Sequence, residues 1–230
     1  RLVEQIPLRR GARLLDIATG KGAVLLPVAQ RVGPKGHVTG IVLSAKILKE
    51  AERVARAQGL TNVELRRMDA EHLDFPDNTF DVVTCAFALF LFPDTEAALR
   101  EMYRVCKPGG YVGLTNFGKK PPPFEPGLSL LIQQFIEYQV QIIMPPQLNY
   151  TPQEMKALLK PFGFRSIKAR SEANDIVYAS AEDVWAFTLT LPPGATITRM
   201  SKETRARFRD EYLAKLRAVA QPDGLHASLG

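Results

Sequence analysis

The chain of 230 residues has little of what marks exported, membrane-spanning or disulfide-rich proteins. Its two cysteines, Cys85 and Cys106, are too few for a disulfide framework and lack metal-ligand spacing. The longest apolar stretch, 82–92, contains Thr84 and falls well short of the roughly 20 residues that a membrane-spanning helix needs. No N-terminal segment combines positive charge, an apolar core and a small-residue cleavage site. We therefore expect a cytoplasmic protein with reduced cysteines and no membrane span.

Histidine is also scarce, and its three copies stand apart from cysteine or carboxylate patterns. His37, His72 and His226 therefore predict neither a zinc site nor a Ser-His-Asp triad. The net charge of +6 and the pI near 9.4 raise the question of nucleic-acid binding. In stretches such as 199–217, however, basic residues alternate with acids, as on solvated helix faces, and no aromatic platform accompanies them. We expect neither a metal nor a nucleic-acid partner.

What the chain does contain is a regular alternation of apolar runs and helical patterns through its first half. The predicted elements are strands at 13–18, 37–43, 63–68, 80–86 and 111–116, and helices at 23–32, 45–58 and 95–105. Turn signals rich in glycine and proline separate these elements. The alternation is typical of a parallel, doubly wound sheet, in which ligands bind where the carboxyl ends of the strands meet.

The first strand ends in an acid and passes directly into a turn with two glycines, Asp16-Ile17-Ala18-Thr19-Gly20-Lys21-Gly22. Glycine allows main-chain conformations closed to other residues and leaves no side chain between backbone and ligand. The start of the following helix would direct partial positive charge at the site, while Asp16 could accept hydrogen bonds from a cationic amine. Leu25 stands where the dinucleotide fingerprint has its third glycine, and the Gly-Lys-Ser/Thr triplet of a phosphate-binding loop is absent. A dinucleotide and a triphosphate are therefore disfavoured as ligands.

Three motifs in order resemble class I S-adenosylmethionine-dependent methyltransferases, especially the small-molecule enzymes of quinone and natural-product pathways. The first is the glycine turn, with Ala18 at the first glycine position. The others are Asp69-Ala70-Glu71-His72-Leu73 followed by Phe75-Pro76-Asp77-Asn78-Thr79-Phe80-Asp81, and Arg104-Val105-Cys106-Lys107-Pro108-Gly109-Gly110. The resemblance is dense over 11–117. It implies an α/β fold: a Rossmann-like, doubly wound, mostly parallel sheet of seven strands with helical lid insertions.

The resemblance also implies how the cofactor, S-adenosylmethionine, is held. Asp16 and the amides of residues 20–22 would bind the methionine end. Asp69 would accept a hydrogen bond from the adenine amino group, the amide of Ala70 would face the ring, and Phe87 would lie beside the methyl donor. The full set of expected cofactor-binding residues is Asp16, Ala18, Thr19, Gly20, Gly22, Val42, Leu43, Ile47, Asp69, Ala70, Ala86 and Phe87.

One position departs from the family's pattern. Members usually carry an acid at the end of the second strand that binds both ribose hydroxyls, and this chain has Val42 there. A hydrogen bond to a charged group contributes about 1.5–3 kcal/mol, so its loss would weaken binding by roughly tenfold to over a hundredfold. Three explanations stay open: an altered variant, compensation by Ser44 or water, and drift away from methylation.

The second half predicts helices at 128–144, 151–163 and 201–220, a sixth strand at 164–170 and the start of an antiparallel seventh strand at 225–230. The predicted organisation is a cofactor-binding core at 1–117 with lid or substrate-binding insertions at 118–163 and 179–222. The segments 164–178 and 223–230 would complete the sheet edge. Apolar side chains sufficient to line an organic pocket are Phe117, Phe124, Phe135, Tyr138, Met144, Tyr150, Trp185 and Phe187.

The predicted function is methyl transfer from S-adenosylmethionine to an O, C or N atom of a small, largely apolar metabolite. Direct displacement at the sulfonium methyl is expected, with Tyr138 and Tyr150 as candidates for orienting the acceptor, and the question of a dedicated base stays open. The predicted substrate-binding residues are Phe90, Phe117, Tyr138, Tyr150 and Trp185. The alternative is a protein of this fold that has lost methyl transfer and acts as a natural-product cyclase, an isomerase or a binding module. The oligomeric state stays open.

Overall fold

The computed structural model describes residues 2–119, 125–141 and 149–229. The chain divides into two compact units. The first unit comprises Arg1–Asn116 and Met155–Lys168, and the second comprises Phe117–Glu154 and Ala169–Gly230. The helices are α1 (Leu2–Gln5), α2 (Leu25–Val32), α3 (Ala45–Ala57), α4 (Thr95–Val105), α5 (Gly127–Glu137), α6 (Pro152–Leu159), α7 (Ala181–Thr188), α8 (Pro192–Arg199) and α9 (Lys202–Val219).

A five-stranded parallel sheet forms the centre of the first unit. Its strands are β1 (Arg13–Ile17), β2 (His37–Val42), β3 (Val63–Arg67), β4 (Phe80–Ala86) and β5 (Cys106–Thr115), in the order β3-β2-β1-β4-β5. Leu14, Leu15 and Ile17 are fully buried. Neighbouring side chains of a strand point to opposite faces of the sheet, so both faces of this sheet must be covered, as is usual for parallel sheets. The doubly wound α/β core predicted from sequence is confirmed, with β1 to β4 ending within one residue of their predicted bounds.

The fifth strand begins five residues earlier than predicted. Cys106 pairs with Phe80, and the next pairing in the register joins Tyr111 to Val82, so residues 107–110 bulge out of the ladder. Gly109 has a φ of +73°, a conformation that favours glycine. The predicted turn is therefore a bulge within the strand, because cross-strand pairing resumes on both sides of it.

The strand predicted at 164–170 is wrong. Phe164 and Ile167 pack against the core of the first unit, and the ring of Phe164 meets that of Tyr103 edge-on with 5.3 Å between the centroids. Ser166 has a φ of +52°, which interrupts an extended backbone. Residues 155–168, assigned from sequence to a lid and a sheet edge, therefore belong to the first unit.

The second unit combines a two-stranded antiparallel sheet with a helical cluster. Strands β6 (Asn174–Tyr178) and β7 (Leu225–Leu229) pair with each other. The seventh strand thus begins where predicted and is antiparallel, but the described residues form one five-stranded and one two-stranded sheet rather than a single sheet of seven. Phe135, Phe208 and Tyr212 are buried among the helices. No helix of the described residues is long and apolar enough to cross a membrane.

Helix α5 is shorter than predicted. It ends at Glu137, where Gln139 adopts a φ of +53° and the Val140 N–H donates to the Phe135 carbonyl at 3.0 Å. This closing turn stops the helix locally, although the apolar pattern continues. The remainder of the predicted helix, including Met144, lies outside the described residues, as does Phe124.

Candidate functional site

A buried carboxylate organises the turn after β1. Asp16 is 1% exposed, and its two oxygens accept hydrogen bonds from the Thr19 hydroxyl at 2.6 Å and the Thr84 hydroxyl at 2.7 Å. The main-chain N–H of Leu25, at the start of α2, also bonds to this carboxylate. Strand β4, the glycine turn and α2 are therefore joined through one side chain.

Burial sets the charge state of Asp16. Desolvation raises its pKa from 3.8 to about 6, although the bonds from Thr19, Thr84 and Leu25 lower it. The carboxylate is consequently ionised at neutral pH but easily protonated in mild acid. A cation bound beside it would favour the ionised form.

The backbone of the turn takes three left-handed conformations in five residues. Ala18, Gly20 and Gly22 have φ values of +53°, +56° and +94°. A Cβ added at Gly20 would meet no atom within 4 Å, whereas one at Gly22 would lie 2.9 Å from Leu26 Cγ. Gly20 thus presents an open side of the main chain, while Gly22 lets the turn pack closely on α2.

Two residues that support this turn were missed in the sequence. Thr84 was noticed only as a polar break in an apolar run, and that break is the signal for a buried partner of Asp16. Gly40 lies opposite Asp16 in β2. A Cβ there would lie 2.3 Å from Leu25 Cδ1 and 3.0 Å from Thr19 Cγ2, so a larger residue would displace the turn.

The end of β2 lies next to this turn, because the Thr19 N–H donates to the Ile41 carbonyl at 2.9 Å. Val42 follows as the last residue of β2 and is half-buried, while Leu43 is 62% exposed. The Ser44 hydroxyl accepts from the Ile47 N–H at 3.4 Å as the N-cap of α3. The predicted Val42, Leu43 and Ile47 therefore follow one another at the carboxyl edge of the sheet.

The turn after β3 holds the next predicted pair. Asp69 is exposed, and its Oδ1 accepts from the Glu71 N–H at 3.0 Å, which closes the turn. Ala70 is buried against the core of the first unit. Asp69 therefore holds the local backbone while it faces solvent.

The end of β4 carries the last predicted cofactor residues. Ala86 pairs with Thr115 of β5, and the Phe87 N–H donates to the Thr115 carbonyl at 2.9 Å. Phe87 has a φ of +50° and remains 48% exposed. Phe90 follows in a short 3₁₀ turn, Leu89–Leu91, and is half-buried. All twelve predicted cofactor residues lie in the first unit, either near the carboxyl ends of β1, β2 and β4 or in the segments that follow β1, β2, β3 and β4.

The remaining predicted substrate residues lie in the second unit and form two groups. The Tyr150 N–H donates to the Phe117 carbonyl at 2.9 Å. Tyr138 follows α5, accepts from Arg207 Nε at 3.1 Å and packs on Phe208 with 5.0 Å between ring centroids. Trp185 is buried beside the same Phe208, at a centroid distance of 6.5 Å. Among the residues that the structure describes, no group of three or more His, Cys, Asp or Glu side chains could hold a metal ion.

Comparison with protein families matches residues 2–148, more than half of the chain, to the ubiE/COQ5 methyltransferase family. The chain belongs to this family. The resemblance to methyltransferases of quinone and natural-product pathways is thereby confirmed.

Two curated methyltransferases are among its relatives. The nocamycin O-methyltransferase of Saccharothrix syringae is 41% identical over 54% of this chain and 43% of its own length. A demethylmenaquinone methyltransferase of Listeria welshimeri is 36% identical over 59% of this chain and 56% of its own length. The chain therefore spans about half the length of the curated relatives it matches.

Solved structures show the same fold. An S-adenosylmethionine-dependent methyltransferase from Aquifex aeolicus has a TM-score of 0.58 and 26% identity, over 71% of this chain and 78% of that one. The (4+2)-cyclase SpnF has a TM-score of 0.62 and 24% identity, over 99% of this chain and 77% of that one. At that identity, the likeness to the cyclase concerns the fold alone.

Proposed function

We propose that this chain binds S-adenosylmethionine at the carboxyl edge of its parallel sheet and transfers the methyl group to a small, largely apolar metabolite. The observation that carries the proposal is the buried Asp16, which Thr19 and Thr84 hold beneath a turn of left-handed residues. A turn built this way is stiff before any ligand arrives. Preorganisation of this kind lowers the entropic cost of binding.

The methionine end of the cofactor would lie at this turn. Its ammonium group is a cation, and Asp16 is the buried anion, ionised at neutral pH with a pKa of about 6. The open side of Gly20 lets the main chain approach the ligand without a side chain between them. These features fit an amino-acid group better than a phosphate, because a buried carboxylate repels an anion.

The nucleoside would extend toward the turn after β3. Asp69 has one oxygen bonded to the Glu71 N–H, and its other oxygen could accept from the adenine amino group. The partly buried Ile47 and the exposed Leu43 offer apolar surface to the ring. Phe87, also exposed, follows β4 and would lie beside the sulfonium.

When bound, the cofactor supplies an electrophilic methyl group on a positively charged sulfur. The chain's contribution would be to align the acceptor with that methyl and to exclude water, which requires no dedicated base. Burial raises the pKa of both Tyr138 and Tyr150, so both phenols stay protonated at neutral pH. Tyr150 can therefore donate a hydrogen bond that orients an acceptor, whereas Tyr138 could do so only in place of its present bond to Glu211. Both phenols are poor proton acceptors.

The acceptor class follows from the relatives and from the side chains predicted to line the pocket. One relative is an O-methyltransferase for nocamycin and another acts on demethylmenaquinone, and both compounds are organic metabolites. The predicted substrate residues Phe90, Phe117 and Trp185 are aromatic and suit an apolar ring system. We infer an O, C or N atom of such a metabolite as the methyl acceptor.

Calorimetric titration with S-adenosylmethionine and S-adenosylhomocysteine tests the cofactor. Dissociation constants on the order of micromolar to sub-millimolar are expected. Incubation with a panel of aromatic and polyketide-like acceptors, followed by mass spectrometry, would then identify the methylated product. Loss of turnover in the Tyr138→Phe and Tyr150→Phe double variant would support their role, and unchanged turnover would remove it.

A second candidate is a protein of this fold that has lost methyl transfer and acts as a natural-product cyclase, an isomerase or a binding module. Val42, in place of the usual ribose-binding acid, is the observation that favours it. Titrations without heat for either nucleoside would favour this candidate. Binding of both nucleosides with methylation of no acceptor would do the same.

A further inference from the structure

We propose that this chain binds its cofactor without recognising the two ribose hydroxyls, and that Val42 determines this specificity. The inference rests on the proposed function, because it concerns the same nucleoside. It differs from that proposal in what it predicts about cofactor analogues.

The topology of the sheet places Val42 under the middle of the ligand. Strand β2 lies between β1, which carries the glycine turn, and β3, which leads to Asp69. A nucleoside that reaches from one turn to the other must cross the end of β2, where Val42 is paired with Arg67. Its ribose, which joins the two ends of the cofactor, is the part that lies there.

Polar side chains that follow β2 or lie on its neighbour β3 already have partners. The Ser44 hydroxyl already accepts from the Ile47 N–H as a helix cap. Arg67 donates its Nε–H to the Leu43 carbonyl at 2.9 Å, and a guanidinium cannot accept a hydrogen bond. Glu50 of α3 forms an ion pair with Lys21 at 2.9 Å.

Exposure of this edge explains why the missing acid need not prevent binding. Leu43 is 62% exposed, so water reaches the strand end. Ribose hydroxyls placed there keep water as their partner, and a hydrated hydroxyl neither gains nor loses much on binding. Each hydroxyl should consequently contribute little to the affinity.

Calorimetry with S-adenosylhomocysteine and its 2′-deoxy and 3′-deoxy analogues tests this inference in the intact chain. The wild-type protein should bind all three within about threefold of one another. Val42→Asp should bind the parent nucleoside roughly tenfold to a hundredfold more tightly than either deoxy analogue, because a charged acceptor then meets the diol. Val42→Asn, of matched size and without charge, should discriminate less than Val42→Asp.

Each result has a distinct meaning. A loss of about tenfold or more for either deoxy analogue in the wild-type protein would overturn the inference, because the hydroxyls would then be recognised. Equal binding of all three by Val42→Asp would also overturn it, since Val42 would not face the ribose. Failure of the wild-type protein to bind S-adenosylhomocysteine itself would instead overturn the proposed cofactor site.

Discussion

The two compact units bury polar side chains for different purposes. In the first unit, Thr19 and Thr84 both donate hydrogen bonds to Asp16 and thereby shape a turn at the carboxyl edge of the sheet. In the second, the Tyr212 hydroxyl donates to the Gly127 carbonyl at 2.9 Å and thereby ties α9 to α5. Buried polar side chains shape a turn at the sheet edge in one unit and hold two helices together in the other.

The interior of the second unit supports the same contrast. Its helices and strands border a partly open, mainly apolar cavity of about 30 Å³, lined in part by Leu131, Phe187 and Tyr212. A space of that size holds a water molecule or two but not an organic metabolite. Packing therefore dominates the second unit, and four predictions test this comparison.

Phe208→Ala should have the largest effect, because it breaks the packing of the second unit. Phe208 is fully buried, and its ring centroid lies 5.0 Å from those of Phe135 and Tyr138. Truncation should lower the free energy of unfolding by about 3–5 kcal/mol. Denaturant unfolding followed by the fluorescence of Trp185, the single tryptophan, measures the loss. A loss below about 1 kcal/mol, typical of surface positions, would place Phe208 outside the core.

Burial of Asp16 should make the stability of the first unit depend on pH. Its pKa is about 6 in the folded protein against an ordinary 3.8, so the folded state binds the proton more tightly. The contribution of Asp16 to the free energy of unfolding should therefore fall by about 3 kcal/mol in all as the pH rises from about 4 to about 6. Above that range the contribution should stay constant.

Asp16→Asn is the matched control for this pH effect, because it keeps the side-chain size and removes the titration. The difference in unfolding free energy between the two proteins should change between about pH 4 and pH 6. A constant difference over that interval would mean that burial does not perturb Asp16.

Asp16→Asn should also weaken cofactor binding by roughly tenfold to a hundredfold at pH 8, because the charged acceptor for the amine is lost. Thr84→Val, which keeps the charge and removes one hydroxyl donor, should reduce affinity less and stability by about 1 kcal/mol. Calorimetry and denaturant unfolding separate the two quantities. Unchanged affinity in Asp16→Asn would reduce Asp16 to a structural role.

Alanine substitutions at the two glycines of the turn should have the smallest effect. Gly20→Ala should cost about 1 kcal/mol of stability from its positive φ alone, because no atom obstructs the added Cβ. Gly22→Ala should cost more, since its Cβ would also press on Leu26. A larger loss of S-adenosylhomocysteine affinity in Gly20→Ala than in Gly22→Ala is expected if the open side of Gly20 faces the ligand.

The elements of the first unit were predictable because their signals are local. Helix α4 spans its predicted range, with Asp94 accepting from the Ala97 N–H at 2.9 Å as the N-cap. A local signal was also sufficient in the second unit, where Thr151 and Glu154 exchange hydrogen bonds in a capping box at the start of α6, as Thr-Pro-Gln-Glu indicates. Such caps form between residues three positions apart in the chain, so they can be predicted without knowing the tertiary structure.

The errors fall where a distant partner decides the outcome. The apolar residues Phe164 and Ile167 suggested a strand, but their packing against the first unit's core determines their conformation. The bulge at 107–110 depends on the register between β4 and β5. Neither partner is visible in the sequence around these residues.

In the candidate site, too, local residue patterns were predictable from the sequence and a distant partner was not. The glycine turn and Asp16 were predicted from residue types whose chemistry suits a ligand with an amine, and the role of the Asp69-Ala70 turn was implied by the resemblance to methyltransferases. The partner of the Asp16 carboxylate across the sheet, Thr84, is 68 residues away and becomes evident only when β1 and β4 pair.

By itself, the amino-acid sequence determined the order of strands and helices in the first unit, the glycine turn after β1 and the presence of Val42 where the family usually has an acid. Only the tertiary structure decided which strands share a sheet, how deeply Asp16 is buried and how water reaches the end of β2. The reason is physical: backbone preferences act over a few residues, whereas burial and charge state depend on atoms that the folded chain brings together from distant positions.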